Sequence, residues 1–129
     1  MIYINIHIHI YHCHYRCVGG CVNSWSYNGQ SQGKGHNNKW TGWGSKFSPE
    51  GDRVLGVAAD MCEGRLLFGL DGVWTHPMGE AFIDLDTNVS IFPAITAENV
   101  SLVVNFGQVP FKFGPPDSTF KRLLDLQKS

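Results

Sequence analysis

The 129 residues are the length of one domain, and a hydrophobic share of 43% is enough to build a core. The formal net charge of −1 removes the electrostatic case for a nucleic acid or an anionic membrane as partner. Fifteen glycines set between short apolar runs favour an all-β chain over a helical one.

Residues 1–23 form a low-complexity Ile/His/Cys segment. Ile2, Ile4, Ile6, Ile8 and Ile10 alternate with Tyr3, Asn5, His7, His9 and Tyr11. This period of two predicts a β-strand with isoleucine on one face. No neighbouring segment reads as its hairpin partner, and left unpaired it would be an aggregation hazard. It has neither the basic start nor the continuous apolar block of a signal peptide. No stretch of the chain is long and apolar enough to span a bilayer.

The same segment carries zinc-type donors: His7, His9, His12, Cys13, His14, Cys17 and Cys21. On a strand, His7 and His9 would share one face and His12 and His14 the other, which works against a closed tetrahedral site. The cysteine spacing also lacks the paired arrangement of a zinc finger. Metal binding through His7, His9, Cys13 and Cys17 is therefore kept only as an alternative, and no cofactor is expected. Three cysteines crowd the N-terminus and Cys62 stands apart, whereas a secreted disulfide scaffold would spread them. A reducing compartment, cytoplasmic or nuclear, is expected.

From Cys17 to Gly51 turn and loop residues dominate. One short strand is expected near Ser24–Asn28, followed by a long loop. Arg53–Asp60 and Arg65–Leu70 are strand candidates, the second with Leu66, Phe68 and Leu70 on one face. Asp71-Gly72 suits the positive φ angles of a two-residue hairpin. Ile91–Thr96 and Ser101–Phe106 are two further strands, with Leu102, Val104 and Phe106 sharing a face. Pro110, Pro115 and Pro116 mark the end of the sheet. Ser118 is placed to cap a short helix over Thr119–Leu126.

Catalytic patterns are missing. His36 lies in a Gly/Asn loop and His76 beside Pro77, with no nucleophile motif near either. Asp84, Asp86 and Asn88 open like a calcium loop, but Val89 and Ile95 stand where glycine and glutamate are needed. No enzyme is expected. The four tryptophans point to binding or to core. Trp25 is read as core, and Trp40, Trp43 and Trp74 as candidate partner contacts.

The strings SWSYNG, GHNNKW, WGSKFSPEGDRVLGVAADM, GRLLFGLDGVW and IFPAITAENVSLVVNFGQ, in this order, resemble the SPRY domain over roughly Trp25 to Phe113. The resemblance implies an antiparallel β-sandwich. Residues 24–114 would be a partial SPRY domain, lacking strands that the family carries before SWSYNG, and residues 115–129 a tail with a short helix. Residues 1–23 would either substitute for the missing strands or be a non-native start. The resemblance further implies a non-catalytic module that recognises a protein or peptide through end loops, in a ubiquitin-ligase or scaffold protein. The loop after the FPA strand, Thr96, Ala97, Glu98 and Asn99, joins the candidate contacts on this ground. A truncated gene-model fragment without independent function is the alternative, and oligomeric state stays open.

Overall fold

The computed structural model describes residues 2–7, 24–46, 53–88, 90–95 and 102–128. Within them the strands are β1 (Ile2–His7), β2 (Trp25–Asn28), β3 (Gly33–His36), β4 (Lys39–Gly42), β5 (Val54–Asp60), β6 (Arg65–Leu70), β7 (Gly79–Phe82), β8 (Val103–Asn105) and β9 (Lys121–Arg122). A six-stranded sheet runs β7-β6-β5-β1-β8, with β9 also on β1, and a three-stranded sheet runs β2-β3-β4. All pairings are antiparallel except the short parallel one between β1 and β9. The expected all-β, antiparallel architecture is the one observed.

The repeat of two in the N-terminal string does form a strand, and its partners are distant. Ile2, Ile4 and Ile6 stand in register with Ala59, Val57 and Leu55 of β5. On its other edge β1 takes β8 at Asn5–His7 and β9 at Ile2–Tyr3. No hairpin is involved, which is why no local partner is visible in the sequence.

Strand β5 (VLGVAAD) does not alternate because both of its faces are covered. Leu55 and Ala59 join Leu66, Phe68, Leu70, Met78, Ala81 and Leu85 in the main core. Ala58 turns the other way, with Leu67 and Phe120. The expected grouping of Leu66, Phe68 and Leu70 is thus the observed one. Trp25, Tyr27 and Trp43 bring the three-stranded sheet against the main core and make the assembly a sandwich. Burying a leucine or phenylalanine side chain of this kind contributes about 1.5–3 kcal/mol.

Several expectations are corrected. The long loop after Asn28 is two strands, β3 and β4. Strand β7 was not foreseen. Residues 91–95 form no ladder: Pro93 has no amide to donate, and Phe92 is 83% exposed. The sheet resumes beyond the prolines at β9. The C-terminal helix is a 3₁₀ helix, Leu123–Lys128, and not a helix from Thr119. Asp117 explains the delay. Its carboxylate accepts the Thr119 amide at 2.8 Å, and its carbonyl accepts the Phe120 amide. This turn seats Phe120 in the second core and leaves Lys121–Arg122 extended against β1. Asp117, not Ser118, organises the segment.

Both ends of β5 are fixed by carboxylates. Asp71 accepts the Val54 amide at 2.8 Å and pairs with Arg53 at 2.5 Å. Asp60 is buried. It accepts the Cys62 and Glu63 amides at 3.0 and 3.1 Å, and pairs with Arg65 at 2.9 Å. Burial by itself would raise its pKa. The hydrogen bonds from Arg65 and from the two amides outweigh burial and hold it below the usual carboxylate value.

Asp60→Ala, which leaves two amides without their acceptor and Arg65 with Glu80 alone, should cost about 2 kcal/mol in urea unfolding. A depressed folded pKa contributes stability above the unfolded value of about 4 and loses it as pH falls through the lower folded value. Asp60→Asn should therefore flatten the wild-type loss of stability below about pH 4. An unchanged acid limb would show that Asp60 does not control it.

Candidate functional site

The three-stranded sheet is closed at one end by Asn37-Asn38. Both residues have positive φ, 51° and 58°, which asparagine tolerates and a two-residue turn requires. The register then places Trp25 opposite His36, Tyr27 opposite Lys34, and Gly35 opposite Trp40. Alternation gives the sheet two different faces.

The inner face is anchored. Trp25 and His36 stack with ring centroids 4.7 Å apart, and His36 turns its edge toward Phe82 at 6.3 Å. His36 Nδ1 lies 2.9 Å from the Ser24 carbonyl oxygen; a carbonyl only accepts, so this nitrogen carries the proton. Lys34 Nζ donates to the Ala81 carbonyl at 2.6 Å and sits 5.3 Å from the Phe82 ring centroid. Tyr27 donates its hydroxyl to the Ser45 carbonyl. Burial pushes the Tyr27 pKa up to about 12, against a smaller lowering by Arg53, so the phenol stays a donor at neutral pH. Trp43 meets Tyr27 edge-on at 5.5 Å and Phe68 at 6.1 Å.

The outer face carries Trp40. Its indole lies flat on the backbone of Gly35, where an added Cβ would stand 2.7 Å from the ring carbons. Gly35 is buried, while Trp40 is 40% exposed. All of β4 is exposed, and β4 forms the end of its sheet among the described residues.

The sequence-based candidates are thus dispersed. Trp40 faces outward. Trp43 is half-buried against the main core. Trp74 lies on the far side of the large sheet, its ring over Gly69 and its Nε1 donating to the Gly114 carbonyl at 3.0 Å. Thr96, Ala97, Glu98 and Asn99 lie outside the described residues; the described segment leading to them exposes Phe92 and Ile95. His9, Cys13 and Cys17 also lie outside, and His7 is described only as a backbone position in β1. Among the described residues, no three metal-type side chains cluster and no helix is long and apolar enough to cross a membrane. The residue that sequence reasoning passed over is Gly35, whose missing side chain makes the indole platform.

The family model described as SPRY domain matches residues 6–109, most of the chain.

Gly35→Val puts a side chain where the indole lies. Overpacking of this kind should cost about 1–3 kcal/mol in chemical unfolding and increase acrylamide quenching of Trp40 fluorescence. Unchanged quenching, read in a background with the other tryptophans replaced by phenylalanine, would show that the indole does not rest on Gly35.

Proposed function

The chain belongs to the SPRY family, whose domains are protein–protein interaction modules and in general non-catalytic; from that premise we propose that it recognises a protein or peptide on the outer face of its three-stranded sheet, together with the loop Thr96–Asn99. The observation that carries this reading is Trp40. Tryptophan is among the residues that dominate interface energies, and Trp40 offers 40% of its surface on the outer face. Here it is already fixed in place, so binding immobilises little more of it.

In this reading Trp43 supports the surface from inside by tying β4 to the core, and Trp74, on the opposite side of the large sheet, takes no part in it. The near-neutral charge favours a protein ligand over nucleic acid. Exposed Cys62, free of any disulfide, fits a reducing, intracellular setting. A role as the recognition part of a scaffold or ubiquitin-ligase protein is part of this proposal, supported by the family resemblance alone.

The test is affinity capture with the whole chain, followed by direct titration of the protein recovered. Trp40→Ala should weaken binding about thirty-fold, the size of an interface hot spot of about 2 kcal/mol. The pair Glu98→Ala and Asn99→Ala should weaken it less. Undiminished binding by all three variants, with wild-type melting, would remove the proposed surface.

A further inference from the structure

The backbone of β4 sets out a specific pattern. A two-residue turn makes His36 and Lys39 a mutually hydrogen-bonded pair, and alternation makes Lys34 and Thr41 the next. The Trp43 amide donating to the Gln32 carbonyl at 3.0 Å continues the same phase. The N–H and C=O groups of Trp40 and Gly42 therefore point away from β3, toward the side of β4 on which no strand lies among the described residues. At Gly42 nothing stands within 4 Å of where a Cβ would be, so the outer face next to the edge is open there.

The sequence that carries this edge has one sign of charge. Residues 1–49 contain Arg16, Lys34, Lys39 and Lys46 and no aspartate or glutamate; all 11 acidic residues come later. Lys34 is engaged with Ala81. Lys39 and Lys46 are exposed, and Lys39 forms no ion pair among the described residues. A lone edge lysine is an ordinary guard against aggregation. Here the same edge strand carries, on its other face, an exposed indole and a bare glycine, which a guarded edge has no use for. A second copy paired through the same edge is a poor occupant, since residues 1–49 of that copy bring lysines and no carboxylate.

Resting on the recognition reading above, we infer that the open edge of β4 takes an extended acidic peptide as an added strand. Its backbone pairs with the outward groups of Trp40 and Gly42, its carboxylates lie toward Lys39 and Lys46, and an apolar side chain covers the exposed face of Trp40.

The experiment is fluorescence anisotropy of the full chain with three labelled octapeptides: alternating Glu/Val, alternating Lys/Val, and Glu/Val with alternate amides N-methylated. The Glu/Val peptide should bind at least ten-fold more tightly than the other two, and more weakly as salt rises. Lys39→Glu with Lys46→Glu should invert the preference between the acidic and basic peptides. Gly42→Pro removes only an outward donor, as edge strands tolerate, and should lower affinity at least ten-fold with wild-type melting. Equal binding of the acidic and basic peptides, or full binding by Gly42→Pro, would overturn the inference. So would a dimer of the chain that Gly42→Pro dissolves in sedimentation. If a captured partner depends on Trp40 but the Glu/Val peptide does not bind, the edge inference falls and the recognition reading stands. If Trp40→Ala, Glu98→Ala and Asn99→Ala all leave partner capture unchanged and the Glu/Val peptide does not bind, both fall.

Discussion

The structure depends on β5 being held on every side. Its two edges are occupied by β1 and β6, and its two faces by separate apolar clusters. Its ends are fixed by Asp71 and Asp60. A strand in this position cannot slip by one residue, because a slip would exchange Leu55 and Ala59 for Ala58 between unlike surroundings. The other elements take their places relative to it. β6 sets the position of β7, and β1 sets the positions of β8 and β9. The main-core face of β5 and β6 receives the aromatic residues of the small sheet.

The small sheet is attached more lightly. Its hold on the large sheet consists of Trp25, Tyr27 and Trp43 packed inward, with Lys34 bonded to the end of β7. The inner face packs through Trp25, Tyr27, Lys34 and His36, with Lys39 and Thr41 of β4 exposed, and on the outer face Ser26 and Gly33 are buried while Trp40 stays 40% exposed. Placing recognition on this layer keeps the rigid β5 core out of the interface. It also places Trp40 on a layer whose orientation is fixed by packed aromatic rings.

What the sequence made legible follows from how local each signal is. β5, β6 and the Asp71-Gly72 hairpin are written in neighbouring residues: an apolar run, an alternation and a turn pair. The isoleucine strand was legible as a strand but not as a partner of β5, because some fifty residues separate the two and register is a long-range property. β3 and β4 were missed for another reason. Gly33, Lys34, Gly35 and His36 have almost no apolar content, since Gly35 borrows its cover from Trp40 and the strand has no hydrophobic side chain to show. Phe92-Pro93-Ala94 erred the opposite way, carrying strand-like residues around a proline that cannot complete a ladder. Trp40, Trp43 and Trp74 were alike as letters; only register separates the one that faces outward from the two that do not.

The decisive comparison lies within the chain. GHNNKW and GLDGVW are the same device used twice. Each begins with a glycine, crosses a two-residue turn with positive φ at both turn positions, and ends with a tryptophan five residues on, lying flat on that glycine. Cross-strand neighbours in this phase approach closely, and an aromatic ring over a strand glycine supplies the packing that the glycine lacks. In the second copy the ring is then covered, by packing with Phe111 against the second core, and its nitrogen bonds to Gly114. In the first copy the ring is in place, but nothing comparable covers it among the described residues, and Trp40 stays 40% exposed. One arrangement thus has a structural use, and the other leaves its ring half-exposed among the described residues. That difference, between two segments of like sequence and like geometry, is the strongest reason to look for the partner at Trp40.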